Sequence, residues 1–233
     1  MTKFYGIGTG PGDSDLLTIR GKNTLEKIDI LYTPESKKEG KSLALSIVAP
    51  YLKPDLTIKQ RHFPMSNDQQ SKEKAWDSIA EEIIADVQSG KDVGFITLGD
   101  PMIYSTYSYL LERVKKVIET ETIAGISSFS QIASQLQMPL VLDDETYAVV
   151  PATAEEAFLR QALENFTTII IMKIALAVPK IKVLLEELDL SDQTILISNV
   201  SMDGQEVIKG MRSITEEDKL SYFTTAIVYK NRC

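Results

Sequence analysis

Asp100 stands where a carboxylate could do chemistry at a small-molecule site. It lies in the segment Thr97-Leu98-Gly99-Asp100-Pro101-Met102-Ile103-Tyr104-Ser105. The glycine before it lets the backbone approach a ligand closely, and the proline after it fixes the chain direction into a helix. Such a carboxylate can cap that helix or take a proton, and Tyr104 is a second titratable group of the same segment. A second glycine segment, Gly6-Ile7-Gly8-Thr9-Gly10-Pro11-Gly12-Asp13, lies near the start of the chain. Each segment follows a short apolar run that reads as a buried strand, and each ends where a helix should begin. Two such junctions point to a bound small molecule rather than to a turn alone.

The first segment excludes two familiar phosphate sites. A P-loop needs a lysine and a Ser/Thr after its second glycine, and neither is present. A dinucleotide fingerprint needs a third glycine where Pro11 sits. A Gly-x-Gly-x-Gly methyltransferase loop matches Gly6, Gly8 and Gly10; its ribose carboxylate would be Glu35, after Pro34. His62 is the single histidine and Cys233 the single cysteine. Together they cannot build a metal site, so no protein-bound metal is expected. His62, with no carboxylate placed to orient it, reads as a surface residue rather than a base. Trp76 reads as helix core or interface, and Met65 and Met102 as apolar filler.

Composition narrows the class. The 233 residues are 43% hydrophobic, enough for one large α/β domain or two smaller ones. Thirty-three acidic against 25 basic residues leave a net charge of -8, which disfavours nucleic acid as partner. Arg20, Lys22, Arg61, His62, Arg113 and Lys173 sit near expected element ends, where a polycarboxylate could meet several of them. No apolar run approaches a membrane span, no signal-peptide pattern opens the chain, and no disulfide framework exists, so a reducing cytoplasm is expected.

The elements that position these residues alternate. Strands are expected at 4–7, 30–32, 56–58, 93–98 and 117–123. Helices are expected from 13 or 14 through 28, and at 41–52, 71–88, 103–114 and 127–136. Beyond residue 139 the pattern turns to strands at 147–150, 167–172, 194–200, 206–208 and 223–229, the last three suited to a meander. Helices fall at 154–164 and 178–188. The expected domains are 1–114, α/β with the first glycine loop, and 115–233, α/β with a mixed sheet.

Taken together, Gly6–Asp13, Leu-Gly-Asp-Pro at 98–101, Ala-Gly-Ile-Ser-Ser at 124–128, Ile171-Met172-Lys173 and Thr225–Val228 resemble the signature blocks of the tetrapyrrole (corrin/porphyrin) methylases. The blocks occur in the family's order and span nearly the whole chain. The segment 97–107 is most similar to the members that methylate C-20 of precorrin-2 or cobalt-factor II in cobalamin biosynthesis. The resemblance implies a two-domain α/β homodimer with S-adenosylmethionine in a cleft between the domains. It implies cofactor contacts from Pro11, Gly99, Asp100, Ile103, Ser127, Ser128, Met172 and Ala226. The tetrapyrrole would face the first glycine loop, at Gly10, Gly12, Asp13 and Arg20. Asp100, Tyr104 and water are the candidates for removing the C-20 proton. Methylation at another macrocycle position and non-catalytic tetrapyrrole binding are the competing readings.

Overall fold

The computed structural model describes residues 1–34, 42–64, 68–215 and 218–231. Glu35, Met65 and Cys233, each given a reading above, and the first residue of the helix expected at 41–52 lie outside the described residues. The chain divides into two compact units, Met1–Ser127 and Ser128–Cys233.

In the first unit β1 (Phe4–Gly8), β2 (Ile30–Pro34), β3 (Thr57–Arg61), β4 (Val93–Thr97) and β5 (Thr120–Ile123) form one parallel sheet in the order β3-β2-β4-β1-β5. A parallel sheet is covered on both faces, which is why β4 is apolar without alternation and buried at every position. The polar β3 takes an edge. On one face α1 (Ile19–Leu25) and α2 (Leu43–Val48) bury Leu25, Ala44 and Val48 with Ile7, Leu31 and Ile96. On the other, α3 (Gln69–Gln88) and α4 (Tyr107–Val114) bury Trp76, Ile83, Tyr107 and Leu110 with Phe4, Tyr32 and Phe95. The α3 stripe Trp76, Ile79, Ala80, Ile83 and Val87 follows the helical period, and Asp68 caps it by accepting from Gln70 N at 3.0 Å. Residues 120–123, read from sequence as belonging to the second domain, pair with β1.

Two expected helices differ. The one expected from 13 or 14 through 28 is split. Asp13 Oδ1 accepts from Asp15 N at 2.9 Å and closes a 3-10 turn at Ser14–Leu16, and Thr18 Oγ1 accepts from Gly21 N at 3.0 Å and opens α1. The one expected at 103–114 begins at Tyr107, because Tyr104 adopts φ +50°, a left-handed conformation that no α-helix accommodates. Ser105 Oγ accepts from Tyr107 N at 3.1 Å and shares a hydrogen bond with Thr97 Oγ1 at 2.9 Å, which holds the later start.

The second unit holds β6 (Tyr147–Pro151), β7 (Thr168–Met172), β8 (Thr194–Ser198), β9 (Glu206–Lys209) and β10 (Thr224–Tyr229) in the order β6-β7-β10-β8-β9. Only the β6–β7 pair is parallel. The expected meander does not form. β10 is buried at all positions and needs partners on both sides, so it lies between β7 and β8, while the exposed β9 takes the edge. Helices α6 (Glu156–Asn165) and α7 (Val178–Glu187) bury Leu159, Leu163, Ile181 and Leu185 against Ile169, Ile171, Leu196 and Val228. Helix α5 (Ser128–Leu136) packs on β10. Among the described residues no helix is long and apolar enough to cross a membrane.

The fully buried ring of Tyr107 lies on the Cα of Gly6, in the space a Cβ there would fill, and its hydroxyl pairs with Thr122 Oγ1 at 2.7 Å. Gly6→Ala therefore overpacks this face and should cost about 2–3 kcal/mol in urea unfolding. Much of that loss should vanish in a Tyr107→Leu background; equal losses in both backgrounds would exclude the ring as the cause.

Candidate functional site

The connection from β1 leads toward β2, and that from β4 leads in the opposite direction toward β5, over the other face of the sheet. Neighbouring parallel strands whose connections part in this way leave a crevice beyond their carboxyl ends, where open α/β sheets bind ligands. Both glycine segments end there. Gly99 N donates to Gly10 O at 2.8 Å and Gly10 N to Gly99 O at 3.3 Å, with φ +69° and +77°. Thr9 N donates to Thr97 O at 2.9 Å, and its hydroxyl reaches the same oxygen at 3.2 Å.

The third segment joins them. A Cβ on Gly8 would stand 2.6 Å from both Gly99 O and Gly125 N, and one on Gly125 would be 2.9 Å from Gly8 Cα and closer still to Gly99 O. The three backbones meet with no room for a side chain between them. Gly99 differs: a Cβ there would find nothing nearer than Ile126 O at 4.0 Å. Its outer side faces open space, a cradle that a side chain would fill.

Asp100 binds with both oxygens. Oδ1 accepts from Met102 N at 2.8 Å and Oδ2 from Gly125 N at 3.0 Å. Ile103 is half-buried beyond it. Tyr104 is 47% exposed, and burial of the rest pushes its phenol above the ordinary value, so it carries its proton at neutral pH. Met102 is 58% exposed and is not the filler expected of it.

In the first glycine loop Pro11 is buried, Gly12 half-buried and Asp13 exposed, the last occupied as a cap. Arg20 is exposed in the first turn of α1. It lines a shallow cavity of about 370 Å³ with Tyr5, Asn23, Lys27 and Glu121, where Tyr5 and Glu121 are register partners of β1 and β5. Three of the cations expected to meet a polycarboxylate are paired with carboxylates of the protein itself. Arg61 donates from Nε and Nη2 to Glu82 at 2.9 and 2.6 Å, Arg113 pairs with Glu73 and with Asp77, and Lys22 pairs with Glu26 at 3.6 Å. Sequence spacing does not show this, because the carboxylates for both arginines come from a distant helix, α3.

His62 is exposed after β3. Trp76 is core: its ring stacks on Tyr109 at 4.1 Å with Arg113 over it at 5.4 Å. Ser127 is buried as the last residue of the first unit. In the second unit Ser128 opens α5, and Met172 ends β7 with its carbonyl accepting from Ala152 N at 2.8 Å. Ala226 lies buried on the adjacent β10, opposite Ile171, which places it beside Met172. Lys173 follows at φ +59°. Gly125 as the partner of Asp100, and Thr9 as the link to β4, were missed from sequence. The signal for Gly125 was a second glycine placed just after a strand end, as Gly8 ends β1. Among the described residues no group of three or more His, Cys, Asp or Glu could hold a metal ion.

Residues 3–213 match the family of tetrapyrrole (corrin/porphyrin) methylases. The chain is 39% identical over 228 residues to a cobalt-precorrin-2 C(20)-methyltransferase of Salmonella typhimurium, covering 98% of this chain and 96% of that protein. It is 29% identical to a precorrin-2 C(20)-methyltransferase of Sinorhizobium over 97% of this chain and 94% of the other. A uroporphyrin-III C-methyltransferase of Thermus thermophilus, solved with S-adenosylhomocysteine, shares the fold with a TM-score of 0.70 at 17% identity, covering 98% of this chain and 97% of that one. With its glycine junctions, its parallel first sheet and this match, the chain belongs to the tetrapyrrole (corrin/porphyrin) methylase family.

Proposed function

We propose that this protein methylates C-20 of a cobalt-bearing tetrapyrrole, cobalt-precorrin-2 or cobalt-factor II, with S-adenosylmethionine as donor, in cobalamin biosynthesis. The observation that carries the reading is the Gly10–Gly99 pairing at the sheet's crevice, with open space over Gly99. Those residues fit a polar cofactor, because positive-φ glycine backbone can be approached there without a side chain in the way. The choice of C-20 and of the cobalt form is supported by the relative at 39% identity, against 29% for one named for the metal-free substrate.

S-adenosylmethionine, when bound, supplies a methyl group activated on a sulfonium. The protein's own part is to hold, orient and keep water away. The paired loops 8–10 and 99–102 provide a rigid floor for the cofactor, with Pro11 and Ile103 at its border. Ser127, Ser128, Met172 and Ala226 are the further residues assigned to it, and Gly10, Gly12, Asp13 and Arg20 those assigned to the tetrapyrrole. The exposed Met102 and Tyr104 offer apolar and aromatic surface to a flat macrocycle. With its proton retained, Tyr104 donates a hydrogen bond at neutral pH rather than serving as base. The protein works as a homodimer in the cytoplasm, with no resident metal and no nucleic-acid partner. Its net charge of -8 supports the last point.

Calorimetric titration should show saturable binding of S-adenosylhomocysteine to the wild-type protein. Gly99→Val should abolish it with the circular dichroism spectrum intact, since its side chain would enter the open space and strain a glycine-only conformation. Wild-type affinity in that variant would place the cofactor elsewhere.

Incubation with methyl-labelled S-adenosylmethionine and cobalt-factor II or precorrin-2, followed by carbon NMR, should put the label at C-20 with preference for the cobalt form. Label at another carbon defeats the regiochemistry, and preference for precorrin-2 overturns only the metal state.

Sedimentation at micromolar concentration should give a species twice the 26.0 kDa of the chain. A boundary at the single-chain mass would refute the dimer.

A further inference from the structure

The carboxylate of Asp100 sits at the cofactor cradle yet spends both oxygens on backbone N–H groups of two different segments. Oδ1 takes Met102 N at 2.8 Å, shaping the turn that follows Gly99, and Oδ2 takes Gly125 N at 3.0 Å, from the segment after β5. The second bond spans twenty-five residues of sequence and is the clasp that fastens the 99–102 loop to the Gly125 turn. Gly125 has no space for a Cβ, because Gly99 O and Gly8 Cα fill it, so the clasp is closed by packing as well as by charge. With both oxygens accepting backbone N–H bonds, the orientation of this side chain answers the backbone rather than a reacting carbon.

We propose that Asp100 serves the transfer reaction as a positioning residue: it sets the conformation of the Gly99 cradle through Met102 N and Gly125 N, and it is not the group that removes the substrate proton. The proposal rests on the methyl-transfer reading above. Its consequence is that loss of the carboxylate is felt first in cofactor affinity. The amide of Asp100→Asn is nearly isosteric but keeps one acceptor oxygen, so one of the two N–H groups must face an NH2 instead. Gly125→Ala opens the same clasp from the other side without altering any titratable group.

The test compares wild type, Asp100→Asn and Gly125→Ala in three measurements: S-adenosylhomocysteine affinity by calorimetry, exchange of the Met102 and Gly125 amide protons by NMR without ligand, and kcat and KM for the methyl donor across neutral pH. Both variants should lose affinity by about tenfold or more, the scale of a lost charge-assisted hydrogen bond. The Gly125 amide should lose protection, KM should rise by more than kcat falls, and the kcat pH profile should keep its wild-type shape. Unchanged affinity and amide protection in Asp100→Asn, with kcat down by a hundredfold or more, would make Asp100 the base and overturn the proposal. A wild-type protein that binds no S-adenosylhomocysteine would instead sink the methyltransferase reading itself.

Discussion

Everything in the first unit depends on backbones being able to touch at the carboxyl ends of β1, β4 and β5. The reciprocal bonds between Gly10 and Gly99 are ordinary in length, but they form only where both residues adopt positive φ and where Gly8 and Gly125 bring no side chain. A single Cβ at Gly8 or Gly125 would push the strand ends apart by more than a van der Waals gap tolerates. The sheet order then does the rest, because β1 and β4 are neighbours whose connections part to opposite faces.

Polar side chains secure this contact rather than decorate it. Thr9, Thr97, Ser105 and Asp100 each bind backbone or one another across the junction. Thr9 and Thr97 are buried, where a polar group is costly unless satisfied, and both hydroxyls are hydrogen-bonded. The left-handed Tyr104 belongs to the same arrangement. Strain at a bulky residue persists only where its surroundings over-determine it, and the Thr97–Ser105–Tyr107 bonds begin α4 immediately after it.

Much of this was legible in the chain itself. Strands β1, β2 and β4 announced themselves as short apolar runs, and α3 through its helical stripe. The glycines of the two loops marked close backbone approach at the strand ends, and there Gly10 and Gly99 pair. What sequence could not show was partnership. Nothing in the residues after Gly99 says that Asp100 meets Gly125, nor that Arg61 and Arg113 find their carboxylates on α3. Position also misled: a helix is expected soon after Pro101, but Tyr104 turns left-handed and α4 opens only at Tyr107. The meander failed for a related reason, since adjacency in sequence favours hairpins whereas burial of all of β10 demands the centre of a sheet.

That central place of β10 governs how the second unit can come into being. Without residues 224–229 its sheet is two separate pieces, the parallel pair β6–β7 and the hairpin β8–β9, each presenting a bare apolar edge to solvent. During synthesis both pieces leave the ribosome before the strand that unites them. The second unit must therefore wait, unzipped, for the last stretch of its sheet, and its open edges are exposed to wrong partners for as long as that wait lasts.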